Sequence, residues 1–219
     1  MATAGGDGRL DDQPALDRAV GILAGRDPLL AGLQARNGMP ALRRRPAGFA
    51  GLVEIILAQQ VSTAAARGFS ARLAAELGGP VTPEAVHRAG EDGLRRAGLS
   101  RPKIRALLGI AERLPGRAGL DAIDRMGAET ARAALLALPG VGPWTAEVYL
   151  LFGLGWPDAF PAGDLALQVA AAEALGHPVR LSAAELATLA QPWRPLRGAA
   201  AHLLWGAYAA RRGRPATPV

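Results

Sequence analysis

The stretch ALPGVGPWTAEVYLLFGLGWPDAFPAGDLALQV, residues 137–169, decides how this chain is read. Residues Ala131 to Leu138 carry a helical pattern. Pro139 cannot continue the helix, and Gly140 and Gly142 adopt backbone angles that other residues resist. Pro143 suits the first turn of a second helix, expected from Trp144 to Phe152. LPGVGP is therefore a tight link between two helices, with Val141 plugging the gap between them. The second helix opens with unpaired N–H groups and the positive end of its dipole. No side chain stands in front of them at the glycines, so a phosphate can approach the bare backbone. The same spacing also fits a plain helical corner packed on its glycines. Asp164 has two readings as well. It suits the N-cap of the helix LALQVAAAEALG, worth about 1 kcal/mol against Ala. It is also a carboxylate held beside a Gly/Pro-rich loop.

Around this stretch the chain reads as helical. Leu52, Ile55, Ile56 and Gln59 share one helical face, and that helix runs into AQQVSTAAA. Phe69, Leu73 and Leu77 continue a stripe that Gly78, Gly79 and Pro80 end. Thr82 with Pro83, and Ser100 with Pro102, mark helix starts. Ile104, Leu107, Leu108, Ala111 and Leu114 form the stripe that follows Ser100, closed by Pro115 and Gly116. Ser182 and Glu185 match a capping box, and Leu203, Leu204, Ala207 and Tyr208 mark the last helix. Period-two alternation is scarce. The expectation is an all-α protein of nine or ten helices. Residues 1–12 read as a disordered N-terminus, 13–210 as the helical domain, and 211–219 as a flexible tail. The hairpin falls at about 131–152, and the loop and helix carrying Asp164 at 156–175.

Composition bounds the partners and the chemistry. Half of the 219 residues are apolar, enough for a real core. No apolar run approaches the roughly 20 residues of a membrane span. The polar, acidic start MATAGGDGRLDDQPALD is unlike a signal peptide. The expected location is the cytoplasm, with nucleoid association if the source is a bacterium. The chain has no Cys, which excludes disulfides, thiol catalysis, Cys-ligated zinc and a Cys-bound iron–sulfur cluster. Its three histidines, His87, His177 and His202, make no short metal-ligand pair. The net charge of +6 favours a polyanionic partner. Lys103 is the only lysine, so a skew of the whole composition toward Arg accounts for the charge equally well.

LPGVGPWTA followed by DAFPAGDLAL resembles the helix-hairpin-helix, Gly/Pro-rich loop and Asp signature of the DNA base-excision glycosylases. Within that superfamily the chain most resembles the 3-methyladenine DNA glycosylase II branch. ILAQQVSTAAA at 56–66 resembles that branch's Gln-containing helix end, GLSRPKIRAL at 98–107 its GLS-x-x-K segment, and WRPLRGAAAHLLW at 193–205 its W-x-P-W-R segment with the Trp that follows. The resemblance covers residues 45–210. It implies an all-α fold of two helical subdomains flanking an active-site cleft. About 45 residues precede the match, so it implies no N-terminal β domain.

The resemblance also implies roles. Asp164 is the catalytic carboxylate that stabilises an oxocarbenium-like sugar and orients or deprotonates water. Relatives that also cleave the strand carry a Lys nucleophile where Trp144 stands. The implied enzyme is therefore a monofunctional glycosylase, without lyase activity, releasing 3-methyladenine- and 7-methylguanine-type bases. Trp144, Tyr149 and Trp193 are candidate walls for the flipped base. Val148 and Leu196 stand where the family pattern has aromatics. Gly140, Gly142, Gln59, Gln60, Arg197, Lys103 and also Arg101 are candidate DNA contacts, with Gln60 filling the hole left by the extruded nucleotide. Backbone carbonyls of Leu136, Leu138 and Val141 are candidates for a structural monovalent cation. No other cofactor, and no iron–sulfur cluster, is expected. The partner is double-stranded DNA with damaged bases, and the protein is expected to be a monomer. Two alternatives stand beside this reading: a non-catalytic DNA-binding module built on the hairpin, and a glycosylase for deaminated or oxidised bases.

Overall fold

A computed structural model describes residues 8–114 and 116–213, with only the backbone at 116–118. All regular structure among them is helical, with no strand. The chain forms two compact units. The first takes the chain up to Arg44 and resumes at Leu154; the second is Arg45–Gly153.

The first unit begins with α1 (Gln13–Ala24) and α2 (Pro28–Asn37). Asp12 and Asp27 cap them, each through a side-chain oxygen on the first backbone N–H groups. The second unit holds α3 (Gly48–Ala58), α4 (Thr63–Leu77), α5 (Pro83–Arg96), α6 (Arg101–Arg113), α7 (Gly116–Asp124), α8 (Ala128–Leu136) and α9 (Pro143–Val148). A π-helical turn, Tyr149–Gly153, completes it. The chain then returns to the first unit with α10 (Leu165–Ala174), α11 (Ala183–Leu189), a short 3₁₀ turn at Gln191–Trp193 and α12 (Arg197–Arg212).

Each unit has its own core. In the second unit, Leu52, Ile55 and Ile56 of α3 are fully buried, as are Leu107 and Ile110 of α6, Leu135 of α8 and Leu150 of the π turn. In the first unit, α10 packs on α12. Ala170, Ala171 and Ala172 on one helix and Ala199, Ala200 and Ala201 on the other are all buried. Fully buried burial of a Leu or Ile side chain stabilises by about 1.5–3 kcal/mol.

The structure adds helices to the expected set: twelve α-helices occur among the described residues. Gly116 opens α7 instead of closing α6, and Pro115 lies outside the described residues. The terminal expectations need correction where they can be seen. Leu10 is buried, its N–H on the carbonyl of Gly155 at 2.7 Å, and Asp12 caps α1, so residues 8–12 are ordered. Helix α12 runs on through Arg212, with Arg211 bound to Glu173 at 3.1 Å, and Gly213 ends it in the left-handed region. Residues 1–7 and 214–219 lie outside the described set. The expected helix from Trp144 to Phe152 is α only to Val148. Beyond it the Phe152 carbonyl accepts the Arg45 N–H, and the Tyr149 hydroxyl accepts the Gly48 N–H, tertiary bonds that accompany the change to a π turn.

Candidate active site

The hairpin belongs to the second unit. Helix α8 ends at Leu136 with Ala137 as its C-cap, and the chain turns through Leu138–Val141. The Val141 N–H returns to the Leu138 carbonyl at 3.2 Å, with Pro139 and Gly140 between them. Pro then Gly with φ +74° at the second central position is the pattern of a type II turn. Gly140 is required twice over. A Cβ there would meet the Ala106 Cβ at 2.5 Å, and its φ is left-handed. Gly142 differs: its φ is −93° and a Cβ would meet nothing within 4 Å. It is exposed and makes no side-chain cap, so space lies open before the first turn of α9. Arg132 braces the two arms, pairing with Glu129 beside it on α8 and with Glu147 on α9. Despite partial burial, these two carboxylates raise the guanidinium's proton affinity.

The hairpin is tied to the turn that follows α3. Gln59 Nε2 donates to the Gly140 carbonyl at 3.0 Å and to Thr145 Oγ1 at 2.8 Å. Gln60 is exposed on that turn and is the one non-glycine with positive φ, +58°, among the described residues. Exposed Val61 follows it.

Asp164 belongs to the first unit. It caps α10: Oδ1 accepts the N–H groups of Ala166 at 2.9 Å and Leu167 at 3.1 Å. A third donor, Trp205 Nε1 of α12, reaches the same oxygen at 3.1 Å. The side chain is buried, 6% exposed. The loop before it is anchored at several points. Gln168 Nε2 holds the Ala162 carbonyl at 2.8 Å, and the Gly198 N–H holds the Pro157 carbonyl at 2.7 Å. Trp205 in turn stands edge-on to His202 at 6.1 Å. His202 is buried, and desolvation lowers its pKa to about 4; its Nδ1 lies 2.8 Å from the Gly198 carbonyl.

Four sequence-based expectations are corrected. Tyr149 is no open wall. Its ring is fully buried and its hydroxyl donates to Asp124 at 2.8 Å; burial and that carboxylate push its pKa well above the usual phenol range. Trp193 is also core, edge-on to Phe160, with its indole N–H on Asp27 at 2.7 Å. Lys103 is buried, and its Nζ donates to the Leu57 carbonyl near the end of α3, over the Phe69 ring. It is not placed to meet a phosphate. Arg197 is a loop anchor, making two 2.8 Å bonds to the carboxylate of Asp158. Trp144 keeps a partly exposed side chain on the first turn of α9, and Arg101 is exposed.

For the cation, neutral carbonyl oxygens are the right donor type for a hard monovalent ion. The Leu138 carbonyl already accepts the Val141 N–H. Arg113 also brings a guanidinium to the neighbouring Ala137 carbonyl at 2.6 Å. Sequence reading missed Gln168, Asp158, Arg132 and Arg113. Only Gln168 carried a signal, lying one helical turn beyond Asp164.

A sequence profile of the HhH-GPD superfamily of base excision DNA repair proteins matches residues 53–196, which include both the hairpin and Asp164. The chain belongs to that superfamily. It lies close to the DNA-3-methyladenine glycosylase II branch. It is 36% identical over 211 residues to a protein of Mycobacterium tuberculosis named a probable bifunctional transcriptional activator/DNA repair enzyme AlkA. That match covers 90% of this chain, but the chain spans only 41% of that relative's length. Among solved structures, a DNA-3-methyladenine glycosidase from Bacillus halodurans superposes with a TM-score of 0.74 at 27% identity, covering 96% of this chain and 95% of that one. The 3-methyladenine DNA glycosylase Mag1 of Schizosaccharomyces pombe, solved with abasic DNA, shares the fold. Its TM-score is 0.78 at 24% identity, with 89% of this chain and 97% of that chain covered.

Proposed function

We propose that this protein is a monofunctional DNA glycosylase that excises N-alkylated purines of the 3-methyladenine and 7-methylguanine type. The observation that carries the reading is Asp164, a buried carboxylate with three N–H donors on one oxygen, in a chain of this superfamily. Those donors set the carboxylate's orientation before substrate arrives, which lowers the reorganisation cost of stabilising a charge.

The step is a hydrolysis. The bond between the base nitrogen and C1′ breaks, and its electron pair leaves with the base. An N-alkylated purine is cationic, so it departs neutral without being protonated. The sugar becomes oxocarbenium-like, and the Asp164 carboxylate stabilises that charge. Water then adds to C1′ and gives its proton to the carboxylate. Trp144 offers an indole face to the cationic base, a contact worth about 0.5–2 kcal/mol. No lysine stands at position 144, and the chain's single lysine, Lys103, is buried on the Leu57 carbonyl. This supports release of the base without a Schiff base or strand cleavage.

The hairpin grips the backbone through N–H groups near Gly140 and Gly142, and contacts of that kind carry no sequence information. Exposed Gln60 fills the space left by the extruded nucleotide. The carbonyls of Leu136, Leu138 and Val141 would hold a monovalent cation, whose charge adds to the phosphate grip. The protein acts as a cytoplasmic monomer on damaged double-stranded DNA.

The test is base release. Wild type and Asp164→Asn are incubated with methylated duplex, the released bases are chromatographed, and the strands are run on denaturing gels with and without alkali. Free methylpurines from wild type alone, with breaks only after alkali and no borohydride-trapped complex, are expected. Release of deaminated or oxidised bases instead moves the lesion class. Duplex binding with no release of any base leaves the binding module.

A further inference from the structure

The structure ties two elements of the second unit that lie far apart in sequence. One is the hairpin, and the other is the exposed turn between α3 and α4. Gln59 is the joint. Its backbone N–H bonds the Ile56 carbonyl at 3.2 Å as α3 ends, while its side chain crosses to Gly140 and Thr145. Both of its amide hydrogens therefore have acceptors, one on the hairpin turn and one on the first turn of α9. Lys103 bonds the same helix end. Its ammonium donates to the Leu57 carbonyl, two residues before Gln59, and lies 5.1 Å from the centre of the Phe69 ring on α4. A helix C-terminus carries unpaired carbonyls and partial negative charge, which a buried ammonium satisfies. Gln60 comes next, in the left-handed conformation that a β-carbon disfavours. A non-glycine is held there when its surroundings over-determine it. The bonds of Gln59 and Lys103 fall on the residues just before it.

We propose that Gln59 and Lys103 are positioning residues that lock the Gln60 turn to the hairpin, so that backbone grip and gap filling act as one rigid device. The inference rests on the proposed glycosylase reading and extends it. Both act through the Gln60 turn and the hairpin, away from the reacting bond. Gln59 sets where Gln60 points relative to the hairpin, and Lys103 keeps the end of α3 from fraying.

The test uses the full chain with Gln59→Ala, Gln59→Glu, Gln60→Ala, the double variant Gln59→Ala/Gln60→Ala, and Lys103→Met. Glutamate keeps the length of Gln59 but cannot donate to the Gly140 carbonyl. The first readout does not depend on catalysis. A duplex carries a tetrahydrofuran abasic analogue opposite 2-aminopurine, and the fluorescence change on binding reports whether a side chain fills the gap. With each protein at saturating concentration, the expected result is a change with wild type that falls at least threefold in all five variants. The second readout is excision of a methylated base in two settings, paired or facing a gap. Gln59→Ala is expected to lose about tenfold on the paired lesion and less than threefold opposite the gap, and the double variant to be no worse than Gln60→Ala. Lys103→Met can lose stability, so Gln59 carries the decision. Equal losses in both settings, additive losses in the double variant, or a wild-type fluorescence change in Gln59→Ala overturns the proposal. Gap filling that depends on Gln59, with no base released from any substrate, keeps the coupling and refutes the glycosylase reading.

Discussion

Asp164 is both a helix cap and the proposed catalytic group, and two substitutions separate these roles. Asparagine retains an oxygen for the N–H groups of Ala166, Leu167 and Trp205. Asp164→Asn is expected to cost under about 1 kcal/mol of stability, because Asn and Asp cap comparably. Alanine loses the cap, about 1 kcal/mol. It also takes the acceptor from the Trp205 indole N–H, in a side chain only 2% exposed, at about 1–3 kcal/mol. Asp164→Ala should therefore unfold about 2–4 kcal/mol more easily than wild type. In a Trp205→Phe background the indole N–H is gone, and the penalty for Asp164→Ala should shrink toward about 1 kcal/mol. Urea melts measure all five stabilities, and single-turnover base release from methylated duplex measures the chemistry. Both Asp164 variants should lose base release by at least about 100-fold, the scale of a removed electrostatic contact to a transition state. Asp164→Asn excising within tenfold of wild type would refute the catalytic role and leave a cap. No difference in stability between the Asn and Ala variants would refute the three-donor geometry.

The two hairpin glycines should respond differently. Gly140→Ala places a Cβ against Ala106 at a left-handed φ, so melting should show a loss of more than about 1 kcal/mol along with weaker duplex binding. Gly142→Ala meets open space, so stability should stay within about 0.5 kcal/mol. If a phosphate approaches there, duplex affinity measured at fixed salt should still fall about tenfold, near the roughly 1.5 kcal/mol of a hydrogen bond to a charged group. His202 sets an acid limit. Its folded pKa, about 4, lies below the unfolded value of about 6.5, so the unfolded chain binds more protons between these values. Its contribution is fully present above pH 6.5 and lost as pH falls toward 4, at up to about 1.4 kcal/mol per unit. Urea melts across this range should show a shallower decline for His202→Gln; an unchanged slope would assign the decline to other groups.

Local signals were legible where a residue's own chemistry decides its backbone. Pro139 with Gly140 specified a turn, Ser182 with Glu185 a capping box that the structure contains, and Asp164 a helix start. Misreadings came where a side chain's partner lies far along the chain. Tyr149, Trp193, Lys103 and Arg197 all carry groups suited to bases or phosphates. Asp124, Asp27, the Leu57 carbonyl and Asp158 engage them instead, and nothing in their local sequence names those partners.

The sequence by itself determined that this is a helical chain with a Gly/Pro hairpin, no thiol chemistry and a carboxylate at a helix start. Periodicity, φ restriction and residue inventory are properties of neighbours in the chain, so they can be read without coordinates. Tertiary structure decided which polar groups are already engaged. It brought Trp205 to Asp164 across 41 positions and Gln59 to Thr145 across 86. Burial makes an unpaired donor costly, so such partners are set by which helices pack together. That packing separates a side chain held for structure from one that remains available to a ligand.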